Sequence, residues 1–120
     1  MHELSIATAI VESVEKESAM RGDARMLTVG LRIGELSGVD EDSLLFGWEA
    51  LTRGTKFEGL KLKIKWIPWV HRCEQCKHEF QIVSYETQCP TCGDVRTKLL
   101  RGNELDITYI ETEEPELAHA

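Results

Sequence analysis

Four cysteines constrain this chain more than any other feature. They stand as Cys73-Glu74-Gln75-Cys76 and, twelve residues on, Cys89-Pro90-Thr91-Cys92-Gly93. Each Cys-x-x-Cys makes a tight turn whose amides can point at its sulfurs. Two such turns brought together supply four thiolates at tetrahedral geometry. A closed structural zinc site requires that arrangement, with no position open for chemistry. The twelve-residue link is slightly shorter than usual, but it holds a short hairpin, with Phe80-Gln81-Ile82-Val83 leading out and Tyr85 leading back. Gly93 suits a position that needs positive φ. A redox dithiol needs one such motif beside a βαβ unit, and two disulfides need an oxidising compartment. Zinc held by Cys73, Cys76, Cys89 and Cys92 is therefore expected. The cysteines fall in a stretch, 68–100, with few aliphatic core residues, bounded by Pro68 and Gly102. Such a segment cannot fold on apolar burial alone, so the metal's binding free energy supplies most of its folding free energy.

The rest of the chain reads as α+β. Residues 3–20 carry Leu4, Ala7, Val11 and Val14 at helical spacing, with Ile10 widening the stripe, and Gly22 ends that helix. Residues 26–33 alternate as a half-buried strand, with Leu27, Val29, Leu31 and Ile33 on one side. A second helix is capped by Asp40 and runs to Thr52 with a Leu44, Trp48, Leu51 seam; Gly54 is its stop. Leu60, Leu62, Ile64 and Trp66 alternate with Lys61, Lys63 and Lys65 in a second strand, whose lysines read as a solvated outer face. A third strand spans 104–110, with Leu105, Ile107 and Tyr109 on one side. The expected fold is a small three-stranded sheet with two helices, plus an inserted four-cysteine zinc ribbon. In this organisation, 1–67 with 101–112 form the α+β domain, 68–100 the inserted ribbon, and 113–120 a flexible acidic tail.

Charge narrows the function. Lys and Arg number 14 against 21 Asp and Glu, a net charge of −7 over 120 residues. Within 68–100, Arg72, Lys77, Arg96 and Lys98 cancel Glu74, Glu79, Glu86 and Asp94. A zinc centre with four thiolates adds about −2 more. Nucleic acid is not the expected partner, because phosphate neutralisation needs clustered cations. No apolar run approaches the length of a membrane span, and Met1-His2-Glu3-Leu4-Ser5 does not open a secretory signal, so a cytoplasmic protein with reduced cysteines is expected. No nucleophile–base pair, Gly-rich phosphate loop or open-site zinc pattern is present in the sequence, which argues against an enzyme.

The first residues carry a second metal signal. The Met1 amine, the His2 amide nitrogen once deprotonated, and the His2 imidazole can close adjacent rings on one ion. Planar, nitrogen-rich donor sets favour Ni(II) or Cu(II) over Zn(II). With histidine second, three positions are filled. The remaining donor comes from Glu3, as amide or carboxylate, or from another residue or a partner. An ion in a mobile, incomplete donor set is poised to be handed on.

The ordered set of Met1-His2-Glu3-Leu4-Ser5, Gly34-Glu35-Leu36-Ser37, Cys89-Pro90-Thr91-Cys92-Gly93 and Gly102-Asn103-Glu104-Leu105 resembles the HypA/HybF family of nickel metallochaperones in NiFe-hydrogenase maturation. The resemblance spans Met1 to about Ile110. It implies an α+β nickel-binding domain with an inserted zinc ribbon, and it assigns transferable Ni(II) to Met1, His2 and Glu3. It also implies nickel exchange with the HypB GTPase, delivery to the hydrogenase large-subunit precursor and, in some relatives, support of urease maturation. Some members carry a longer ribbon with an extra histidine; here His78 is the nearest candidate donor, ahead of His71 and His119. The competing expectation is a zinc-ribbon interaction adaptor without a transferable metal.

Overall fold

A computed structural model of the protein describes residues 2–113. In chain order these form α1 (His2–Met20), β1 (Met26–Gly34), a 3-10 turn (Glu35–Ser37), α2 (Glu41–Thr52), β2 (Lys61–Ile67), β3 (Val70–Cys73), β4 (Glu79–Gln81), β5 (Thr97–Arg101) and β6 (Leu105–Thr112). The strands make two three-stranded sheets, ordered β2-β1-β6 and β4-β3-β5. The α+β class and the first sheet match the sequence reading. The acidic tail from 114 onward lies outside the described residues. Contacts divide the chain into two compact units, one from the described parts of 1–31, 39–64 and 107–120, the other from 32–38 and 65–106. No described helix is long and apolar enough to cross a membrane.

The first unit is built on apolar burial. α1 buries Ala7, Ile10, Val14 and Ser18, and α2 buries Leu44, Gly47, Trp48 and Thr52. α2 begins where its cap dictates, with the Asp40 side chain accepting from the Ser43 amide at 2.9 Å. Trp48 enters the core with its polar edge satisfied, since its Nε1 donates to the Leu60 carbonyl at 2.9 Å. Two expectations need correction. Leu4 does not share the buried stripe; it is 46% exposed beside Phe46, which is 77% exposed. β1 is not half-buried but nearly enclosed, because it is the central strand and Thr28 and Gly30 on its second side are also covered. The Tyr109 ring lies where a side chain on Gly30 would stand.

The second unit holds a buried cluster of Cys73, Phe80, Ile82 and Cys89, with Trp69 packed against it. β3 pairs antiparallel with β4 (His71 opposite Phe80) and with β5 (Cys73 opposite Thr97). β3 and β5 are missing from the sequence reading. Val70-His71-Arg72-Cys73 and Thr97-Lys98-Leu99-Leu100-Arg101 lack clean alternation, and β5 carries an irregularity opposite the Val70–His71 step. The expected hairpin reduces to a tip closed by a Val83–Glu86 bridge.

Two short backbone segments meet in this unit. The Gly34 amide donates to the Glu104 carbonyl at 2.8 Å, and the Leu36 amide to the Gly102 carbonyl at 2.7 Å. A Cβ on Gly34 would overlap the Gly102 carbonyl group. Backbone cannot step aside as a flexible side chain can, so only glycine permits this approach. Gly34→Ala is expected to lower stability by more than about 3 kcal/mol, read from the urea midpoint. A change of less than about 0.5 kcal/mol would refute the close packing.

Candidate metal centres

The four cysteines converge. Their sulfurs all lie within 4.8 Å of one another. The close pairs cross between the two turns: Cys73 to Cys92 at 3.5 Å and Cys76 to Cys89 at 3.6 Å. A tetrahedral zinc with Zn–S of about 2.3 Å spaces its sulfurs about 3.8 Å apart, so the donor set fits such an ion. All four are free thiols, with Cys73 and Cys89 buried and Cys76 and Cys92 exposed.

The two turns share one backbone plan. Cys73 donates its amide to the His78 carbonyl (2.9 Å) and accepts from the Lys77 amide (3.0 Å). Cys89 does the same with Asp94 and Gly93, both at 3.0 Å. Within the turns, amides donate to sulfur: Cys76 to Cys73 at 3.4 Å, and Thr91 and Cys92 to Cys89 at 3.4 and 3.5 Å. Gly93 has φ +78°, as its place after the last cysteine suggests, and Lys77 at the equivalent place has φ +67°. The sequence reading missed Lys77 because a lysine gives no hint of that conformation. Arg96 straps the turns together, donating from Nη2 to Asp94 at 2.7 Å and to Gln75 at 3.3 Å. That guanidinium holds the Asp94 carboxyl down at about 2.

Thiol acidities show what the cage lacks on its own. Burial pushes the Cys89 thiol up, but the Cys92 and Thr91 amides and the Cys76 and Cys73 thiols outweigh it and draw Cys89 down to about 6. The Asp94 amide favours the Cys92 thiolate, yet Cys73, burial, Cys76 and Cys89 together push Cys92 up to about 12. Cys92 thus keeps its proton at neutral pH unless a cation stands among the sulfurs.

The N-terminal candidate sits on the first unit. Met1 lies outside the described residues. His2 and Glu3 are not a loose strand of chain but the first turn of α1. Helix starts leave their first amides without intrahelical partners, so nitrogen donors there are not taken from the ladder. Glu3 Oε2 accepts from the Asp40 amide at 3.1 Å, and Glu3 Oε1 lies 3.7 Å from His2 Nδ1. The hydrogen bond from Asp40 holds the Glu3 carboxyl below its ordinary value. This tie spans 37 positions; Asp40 gave only a cap signal in the sequence. Beside it opens an apolar groove of about 570 Å³, lined by Glu3, Leu4, Asp42, Phe46, Gly47 and Ala50 among others.

The other histidines have local roles. The His78 ring stacks on Phe80 at 6.1 Å. His71 Nδ1 lies 2.9 Å from Thr97 Oγ1, which itself donates to the Thr87 carbonyl at 2.8 Å. The Thr97 proton is thus committed, and His71 is the donor of the pair. Burial lowers the His71 pKa. His119 lies outside the described residues.

Four convergent thiols suit a structural metal site with no position left open for chemistry, on a small α+β protein. The family described as hydrogenase/urease nickel incorporation, metallochaperone, HypA matches residues 1–112, so the chain belongs to the HypA family and is a maturation factor, not an enzyme. A hydrogenase maturation factor HypA from Roseiflexus sp. is 39% identical over 115 residues, covering 95% of this chain and 94% of that protein. One from Geobacter metallireducens is 41% identical over 113 residues, covering 94% of this chain and all of that protein. The solution structure of the nickel metallochaperone HypA from Helicobacter pylori shares the fold at TM-score 0.59 and 20% identity, covering 92% of this chain and 96% of that one. The solution structure of another HypA protein does so at TM-score 0.67 and 21% identity, covering 94% and 97%.

Two outcomes follow from this geometry. Lys77→Gly should raise the stability of the zinc-loaded protein by about 1 kcal/mol, and Gly93→Ala should lower it by a similar amount, both read by thermal unfolding. Glu3, with its lowered folded pKa, contributes stability that is present above about pH 4.5, its ordinary value, and is lost as pH falls through the folded value. Melting curves of the native chain and Glu3→Gln should therefore differ at neutral pH and converge in acid.

Proposed function

We propose that this chain carries Ni(II) at Met1, His2 and Glu3 and delivers it in the cytoplasm to the NiFe-hydrogenase large-subunit precursor, working with the HypB GTPase. Zinc held by Cys73, Cys76, Cys89 and Cys92 stabilises the inserted ribbon, 68–100, while 1–67 with 101–112 forms the nickel-binding domain. In relatives that serve urease, the same cargo passes to urease maturation proteins. The observation that carries the reading is the Glu3–Asp40 hydrogen bond, which seats the chelating turn of α1 against the start of α2 at 3.1 Å. It supports the reading because it fixes Glu3, one of the proposed donors, while a set of three donors leaves the coordination incomplete and the ion transferable.

The chemistry sets the direction of release. Amine, amide and imidazole nitrogens bind the ion only when deprotonated, so loading releases protons and falling pH loosens nickel. The positive end of α1 disfavours a bare cation but favours a deprotonated amide and the Glu3 carboxylate. α1 also presents part of the docking surface for the partners.

Native mass spectrometry of the tag-free protein tests this reading. The unmodified chain should retain one zinc and take up nickel; His2→Ala and a chain with one residue added before Met1 should retain zinc and lose nickel. Equal nickel uptake by all three would move the site elsewhere, toward His78 and the ribbon. Zinc without nickel in every case would leave the interaction adaptor.

A further inference from the structure

The segment Gly34-Glu35-Leu36-Ser37 takes no part in either metal site, yet it is firmly built. Glu35 Oε1 accepts from the Trp69 amide at 2.9 Å, and Ser37 Oγ donates to the Gly34 carbonyl at 2.7 Å. With the Leu36 amide tied to Gly102, this turn leaves the Leu36 side chain 41% exposed. It forms one wall of a cleft of about 280 Å³. Trp69 and Ile82 line it as well, and Ser84 and Tyr85 at the tip between β4 and β5 complete it.

Three observations coincide at this cleft. First, the tip is strained. Ser84 and Tyr85 occupy the left-handed region at φ 55° and 62°, in a two-residue turn closed by the Glu86 amide on the Val83 carbonyl at 3.1 Å. Such turns ordinarily use Asn-Gly. Second, the tip holds apolar surface in water: Val83 is 67% exposed and Tyr85 is 85% exposed. Third, Trp69 Nε1 is sealed from solvent with no hydrogen-bond partner. A buried donor without an acceptor is a standing cost, as is a side chain held at positive φ. Tyr85 stands edge-on to the Trp69 ring, 6.0 Å between centroids, so both costs fall on neighbouring groups.

An acceptor that reached Trp69 Nε1 as the tip shifted would relieve one of these costs and allow the other to relax. The acceptor is neutral, because the Glu35 carboxylate lines the cleft and repels an anion. Its neighbour is apolar, because Leu36, Ile82 and Tyr85 form the walls. A neutral oxygen beside an apolar group is the repeating unit of an extended peptide. We propose that this cleft recognises an extended apolar peptide segment of a partner protein. A backbone carbonyl of that segment accepts from Trp69 Nε1, and the adjacent side chain lies between Leu36 and Tyr85. The site is independent of the nickel reading, and either can fail alone.

The test follows the indole N–H signals of the three tryptophans in the ¹⁵N-labelled, zinc-loaded full chain, assigned with Trp69→Phe. The probe is a capped Gly-Leu-Val-Leu-Gly pentapeptide, with its serine counterpart as control. The leucine peptide should shift the Trp69 signal downfield and saturably while leaving Trp48 unmoved, and the serine peptide should not. Leu36→Asp, a surface change, should abolish the response. Trp69→Phe should weaken binding by roughly tenfold, read by calorimetry, with zinc content unchanged. No Trp69 shift up to the solubility limit of the peptide would overturn the proposal. So would an equal shift in Leu36→Asp, or equal affinity in Trp69→Phe.

Discussion

Charge repulsion among four sulfurs governs the second unit. The atoms lie within 4.8 Å of one another, and two of the four residues in the buried cluster beside them are themselves cysteines. Hydrophobic core and metal cage are therefore one object. Cys73 ends β3 and opens the first turn; Arg96, which straps both turns, leads directly into β5. The sheet β4-β3-β5 hangs from these turns, because its own apolar residues are too few to order three short strands. A divalent cation reverses the repulsion and lets all four thiolates form at once.

The first unit rests on different physics. Its helices bury Ala7, Ile10, Val14, Leu44 and Trp48, which need no ion. The proposed nickel donors His2 and Glu3 belong to a helix start, where amides outside the helical ladder and a positive dipole end coincide. The same dipole that resists a free cation favours deprotonation of the nitrogens that would bind it. One carboxylate, Glu3, holds this arrangement to the neighbouring helix start through Asp40. On the proposed reading, an ion exchanged at the first unit leaves the packing of that unit intact, because its core is apolar.

Local rules made much of this legible. The Asp40 cap, the alternation of β2 and the left-handed Gly93 each depend on a few adjacent residues, and the structure has them where the sequence indicates. Signals failed where distant residues decide. β3 and β5 owe their pairing to the cysteine turns, not to their own patterning. Leu4 fits the apolar period of α1 but lies on the rim of a groove. The Glu3–Asp40 bond joins positions 37 apart, and neither side chain advertises the other. Lys77 occupies the conformation of Gly93 because the backbone plan of the turn compels it, against the preference of its side chain.

The meeting of Gly34, Gly102 and Trp69 has a topological consequence. A Cβ on Gly102 would fall 2.6 Å from the Trp69 Cα, so the residues where the chain departs into the small sheet and where it returns stand side by side. To the strands on either side, everything between Pro68 and Gly102 is a closed loop whose ends are already joined. The entropy of closing such a loop grows only slowly with its length. The two glycines are thus the seam that closes this loop, and a side chain at either would force its ends apart.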